Sequence, residues 1–324
     1  MAEAIGSPPV TSSVSELLDW LELVCFFSDF GIARLDVVDS ALKEQREEQE
    51  SNIGIQDREI ERLREAIENE FEDRLEACGD AYPFQLTGDG EELHLIEDWS
   101  SERCLFYFVC LFASHVSGSP LIDASTPDEL VSQLRNRVFQ IVSTITMAGF
   151  ARGSAASIGW PREAGEAILV SLRRAQERGA GILVRDEPGP YANPKAKDGG
   201  VDAIAWSIED RLPPTRFYYA QVASGRNWRG KPVQTHVSVF EPNYMDDPPR
   251  CEVGYTTLIP FRPKDISLWF NEHKIHGCLL DRTRIPRYGR DGLQMIANGV
   301  EMDESENLDE VRDWIEQFSA HLNS

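Results

Sequence analysis

The chain has 324 residues, 41% hydrophobic and 27% charged, a composition that suits one large or two ordinary folded domains and excludes a disordered or fibrous protein. Its formal net charge of −23 excludes a uniformly basic surface of the kind that coats nucleic acid. The charge is uneven: residues 1–130 carry 8 Lys/Arg against 30 Asp/Glu, residues 131–236 carry 15 against 9, and residues 237–324 carry 9 against 16.

Residues 1–12 read as a loose tail. From Ser15 the run SELLDWLELVCFF has helical spacing, with Ser13 or Ser15 as N-cap. Helix continues over 33–50. A long helix follows over 55–78, where Ile55, Ile60, Leu63, Ile67, Phe71 and Leu75 recur at threes and fours and Gly79 supplies the stop. The segment YPFQLTGDGEELHLI predicts a short hairpin around Gly88-Asp89-Gly90. An apolar helix over 102–115 and a helix over 126–148 complete an acidic, mostly helical front region, residues 13–150. Its longest apolar run, Cys104 to His115, falls short of the ~18 residues a membrane span needs.

After Phe150 the character changes. Residues 151–160 are small and read as a flexible link, and a helix is expected over 162–178, closed by Gly179. Strands are expected at 201–207, 216–223, 236–240, 253–259 and 275–280, with helices at 265–272 and 309–322. This order predicts an α/β (α+β) domain over 151–300, a mixed sheet flanked by helices, followed by a C-terminal helical segment, 301–324. Six scattered cysteines without CxxC or zinc-like spacing, and a start lacking a signal-peptide pattern, predict reduced thiols in a cytoplasmic protein. A Walker P-loop and a GxGxxG motif are both absent.

The chemistry concentrates in 198–231. Asp202 is an acid in an otherwise apolar strand, which is costly unless something pairs with it. A hairpin turning near Arg211-Leu212-Pro213-Pro214 brings Asp202 beside Gln221 on the neighbouring strand. Two oxygen donors there suit a hard octahedral ion such as Mg²⁺ (or Mn²⁺), with water completing the shell. Such an ion neutralises charge developing on a phosphodiester.

The string KDGGVDAIAW, followed about 20 residues later by YAQVASGRNW, resembles the Mrr-like branch of the PD-(D/E)XK nucleases. With GWPR upstream it also resembles bacterial nucleases that accompany antiviral-defence genes. The resemblance covers residues 150–285 loosely and 198–231 sharply. It implies a restriction-endonuclease-like sheet, metal ligation by Asp202 and Gln221, and hydrolysis of nucleic acid, DNA before RNA, in antiphage defence. It also implies an acidic residue from the core's first helix, for which Glu166 and then Glu163 are the candidates. The sequence departs from the pattern at Ala223, where the family carries lysine. Arg226, Arg229, Lys231 and Lys197 are the nearby cations, with Lys231 or Arg226 expected to stabilise transition-state charge or orient the attacking water. The departure leaves an alternative: an inactive nuclease fold serving as a binding subunit of a defence complex. The acidic front region is expected to meet a protein partner, and no membrane is expected.

Weaker features complete the set. Trp228 reads as a core anchor or a stacking platform. His273 and His276 have metal-like spacing without a third ligand, and Arg282, Arg284, Arg287 and Arg290 form a basic run suited to phosphate or to packing.

Overall fold

The computed structural model describes residues 5–47, 53–122, 125–159, 168–192, 199–230, 232–262 and 266–323. In chain order its elements are α1 (Val14–Phe27), β1 (Ile32–Arg34), α2 (Asp36–Glu47), α3 (Ile53–Cys78), β2 (Phe84–Leu86), β3 (Glu92–Leu95), α4 (Glu102–His115), α5 (Asp128–Gln133) and α6 (Phe139–Ala151). There follow β4 (Gly153–Ser157), α7 (Ile168–Glu177), β5 (Leu183–Val184), β6 (Ala203–Ser207), β7 (Arg216–Val222), α8 (Val233–Tyr244) and β8 (Met245–Asp247). The chain closes with β9 (Glu252–Leu258), α9 (Ile266–His276), β10 (Cys278–Leu280), α10 (Arg284–Ala297) and α11 (Leu308–Leu322). The architecture is mixed α/β, and none of the described helices is long and apolar enough to cross a membrane.

The main sheet has five strands in the order β10-β9-β7-β6-β4. β4 pairs with β6 and β6 with β7 antiparallel, whereas β7 pairs with β9 and β9 with β10 in parallel. Both faces are covered, so β6 reads as an unbroken buried run, AIAWS, instead of an alternating one. On one face Ala203, Ala205, Ala220, Leu258 and Leu280 join a cluster that reaches from Leu17 to Leu322. On the other, Ile204, Trp206, Phe217 and Tyr219 pack with Leu172 of α7 and with Val233, Val237 and Phe240 of α8.

Helix α6 is buried on nearly all sides and lies against the sheet. It meets α10 backbone to backbone: a Cβ on Gly149 would stand 2.0 Å from the Tyr288 carbonyl oxygen, and one on Gly292 2.2 Å from that of Ile145. Only glycine allows this spacing, and it makes α6, assigned by sequence to the front region, part of the sheet's own support.

Four expectations change. Residues 153–157, read as a flexible link, form the strand β4, because pairing with β6 and full burial override the low strand preference of Gly, Ser and Ala. Residues 236–240, read as a strand, lie in α8: Val233, Val237, Phe240 and Tyr244 are buried at helical spacing, which a five-residue window cannot distinguish from alternation. Residues 33 and 34, read as the start of a helix, belong to the strand β1, which pairs antiparallel with β3. Where a loose tail is expected, Ile5 bridges Ile122 and the Gly6 carbonyl accepts from the Trp20 indole at 2.7 Å.

The front helices are tied to the sheet by a buried ion cluster. Arg74 of α3 lies 2.8 Å from both the Asp19 and the Glu22 carboxylates of α1. Glu22 also accepts from Tyr82 (2.6 Å) and Tyr107 (2.8 Å). Arg282, just past β10, donates to Asp19 at 2.9 Å, and His115 of α4 lies 2.7 Å from the same carboxylate. Burial alone would raise the Asp19 carboxyl, but Arg282 and Arg74, with His115, hold it well below the usual carboxylate range.

Removing one partner strands a buried charge, so Arg282→Ala is expected to cost about 3–5 kcal/mol, read as a lowered urea midpoint. Because the folded-state value of Asp19 is depressed, its stabilising contribution is present above the ordinary carboxylate range and lost as the pH falls below it. Arg282→Ala therefore also moves acid unfolding to higher pH. A variant that matches the parent in both measurements would show that the cluster carries no stability.

Candidate functional site

The pairing of Ala203 with Ala220 sets Asp202, the residue before β6, directly across from Gln221 of β7. Asp202 is fixed on both sides of its peptide. Its N–H donates to the Ala220 carbonyl at 2.9 Å. Its carbonyl accepts from Ile158 N–H and Gly159 N–H, each at 2.8 Å, and from Gln140 Nε2 at 2.9 Å. The carboxylate accepts from the Val222 N–H at 2.8 Å and from Gln221 Nε2. Both side chains are only 7% exposed.

Strand parity sends Asp202 (with Ile204 and Trp206) and Gln221 (with Tyr219 and Phe217) to the α7/α8 face. The turn before Asp202 explains itself in the same geometry. Gly199 and Gly200 have φ of +65° and +86°, which few other residues adopt. A Cβ on Gly200 would also lie 2.3 Å from Cγ of His236 in the first turn of α8. The imidazole thus packs on the backbone two residues ahead of Asp202. It is half-buried. Sequence reasoning missed His236 because it assigned 236–240 to a strand; the Gly-Gly pair was the available sign that something bulky approaches.

The donor set fits a hard divalent cation held by few protein ligands. Gln221 presents its amide nitrogen to Asp202, and a half-turn of the amide presents Oε1 instead, so the pair can bond each other or share a cation. Among the described residues no three acidic, His or Cys side chains converge. Asp202 and Gln221 would then be the protein's donors to an ion whose remaining positions go to water.

The other candidates fare differently. Glu166, Glu163, Lys231, Lys197 and Asp198 lie outside the described residues. The helix preceding the first strand of the sheet is α6, not 162–178, because 153–157 is already a strand; α6 offers Gln140 to the site, not an acid. Arg226 is not brought to Asp202: its guanidinium donates to the Ser114 carbonyl at 2.9 Å, on the α4 side, and lies 4.4 Å over the Phe261 ring. Arg229 pairs with Glu272 and lies 4.6 Å over Trp228. Ala223 is buried in a small cluster with Trp228, Ile259, Phe261 and Leu279, so Trp228 is a core anchor.

His276 sits against Trp228 at 4.9 Å, its Nε2 3.5 Å from the Glu272 carboxylate and neither ring nitrogen hydrogen-bonded among the described residues, and burial pulls its pKa down against the pull of Glu272. His273 is engaged by Arg284 at 3.3 Å, and the two histidines do not converge on a shared ligand set. The basic run is no phosphate surface as a whole, since Arg282 is consumed by Asp19 and Arg290 pairs with Asp80. All six cysteines are free thiols, four of them buried.

No protein-family model, curated protein or solved structure matches the chain.

Gly200→Ala combines a positive-φ strain with overlap on His236, and is expected to cost about 2 kcal/mol or more in unfolding free energy. His236→Ala removes the overlap but not the strain, so the double variant should recover ~1 kcal/mol in a double-mutant cycle. Strict additivity of the two losses would show that the imidazole does not press on Gly200.

Proposed function

We propose that this chain is a divalent-metal-dependent nuclease that hydrolyses phosphodiester bonds, DNA before RNA, at the Asp202–Gln221 end of the central hairpin. One observation carries the proposal: a buried carboxylate and an amide face each other on adjacent strands, with Val222 N–H on the carboxylate and the Asp202 peptide held by the Ala220 carbonyl and the Gln140 side chain. The order of elements supports it: with α7 and β5 inserted after β4 and β8 inserted after α8, a helix, three antiparallel strands, a helix and a parallel strand occur in chain order as α6, β4, β6, β7, α8 and β9. With the sequence likeness to nucleases that accompany antiviral-defence genes, this extends to an effector of bacterial antiphage defence whose acidic front half meets a basic protein surface.

In this mechanism the cation, when bound, supplies positive charge to the phosphodiester. The protein's part is positional. Val222 N–H orients the Asp202 carboxylate, Gln140 clamps the Asp202 carbonyl from α6, and the Gly199-Gly200 turn lets the chain approach α8. A second reading, an inactive nuclease fold acting as a binding subunit, draws on Ala223 and on the diversion of Arg226 to Ser114.

Plasmid, single-stranded DNA and RNA incubated with Mg²⁺ or Mn²⁺ separate the two. Cleavage that falls at least ~10³-fold in Asp202→Ala, with folding intact, is the expected result. No cleavage by either protein on any substrate favours the binding subunit. Undiminished cleavage by Asp202→Ala would falsify the site.

A further inference from the structure

A hydrolytic site needs a group to take the proton of the attacking water, and position 223, where a lysine is expected, holds a buried alanine. The described cations that follow Gln221 are committed elsewhere: Arg226 to the Ser114 carbonyl and Arg229 to Glu272. What does stand beside the turn that leads into Asp202 is His236. Helix α8 covers the Asp202–Gln221 face through Val233, Val237 and Phe240. His236 lies between these in the chain, in contact with Gly200, half-buried and therefore within reach of water. An imidazole is the side chain most often found carrying protons at reacting centres.

We propose that His236 is the proton acceptor of this site, an inference that rests on the nuclease assignment above. One imidazole nitrogen takes a proton from water as the water oxygen bonds to phosphorus. The bond from phosphorus to the leaving sugar oxygen breaks, and that oxygen takes a proton from solvent. The imidazolium then returns its proton to the hydroxide left in solvent, so water and phosphodiester become a phosphomonoester and an alcohol. The same contact explains the Gly-Gly turn, because any side chain at 200 would displace the imidazole.

The test uses the full chain with Mg²⁺ and plasmid DNA, comparing the parent, Asp202→Ala, His236→Ala and His236→Gln. His236→Ala should cut ~10²–10⁴-fold more slowly. Its affinity for the same DNA with Ca²⁺, in place of the catalytic ion, should stay within about twofold of the parent. Added imidazole should recover at least ~10-fold of the rate in His236→Ala, where the vacated volume admits it, and none in His236→Gln. A purely structural role would not give that rescue. Parent-like cutting by His236→Ala, or a slow variant that imidazole does not rescue, overturns the role of His236 while leaving the nuclease intact. A parent enzyme that cuts nothing overturns both, and the two failures are thereby told apart.

Discussion

The register of β6 against β7 is the constraint on which the site depends. Ala203 opposite Ala220 puts Asp202 opposite Gln221, and both side chains then project onto the α8 face. A slip of one residue would turn Asp202 and Gln221 toward opposite faces and bury the carboxylate against apolar helices, which is far costlier than any gain in pairing. Register is held from both ends. At the turn, Ser207 Oγ accepts the N–H groups of Thr215 and Arg216, each at 3.2 Å. At the site, the Asp202 carboxylate takes the Val222 N–H. An acid that would be a liability in a central strand thus becomes part of what aligns that strand.

The second determinant is the ion cluster under the sheet's other face. Asp19 and Glu22 balance Arg74 and Arg282 almost out of reach of water, so each charge requires the others. Since Arg282 follows β10 while Asp19 and Arg74 belong to α1 and α3, the front helices cannot leave without exposing or stranding charge. The acidic half is therefore built onto the half that carries the main sheet, and α6 and α10 lock it further through their glycine contact. Whatever meets the acidic helices meets a surface continuous with the support of the site.

Much of this was legible in the sequence, and the exceptions have physical causes. Long periodic helices such as α3 and α4, and the hairpin with its Asp and Gln, follow from local spacing and strand parity. β4 does not, because Gly153-Ser154-Ala155-Ala156-Ser157 has no strand preference of its own and is a strand only where β6 pairs with it. His236 was hidden for a related reason: its meaning comes from Gly200, 36 positions away. The partners of the ion cluster are further apart still, Asp19 and Arg282 being separated by 263 positions. Interactions at such range leave only an unpaired-looking charge in the sequence, with no sign of its counterpart.

Charge, finally, bears on how an acidic protein would hold a polyanion. The segment 131–236 is basic by composition, yet the folded chain spends many of those arginines internally. Arg174 and Arg178 both pair with Asp303, Arg137 with Glu304 and Glu310, and Arg229 with Glu272. The acidic residues that neutralise them come mainly from the C-terminal third. Local excess of basic residues in the sequence therefore does not become an equal excess of free cations at the surface. On the nuclease assignment, the divalent ion at Asp202 and Gln221 must then do two things, supplying charge for the reaction and drawing the phosphate to a molecule whose long-range field repels it. Nucleic-acid binding should accordingly depend on the divalent ion more than on the arginines, with a shallower dependence on monovalent salt than a protein that grips many phosphates directly.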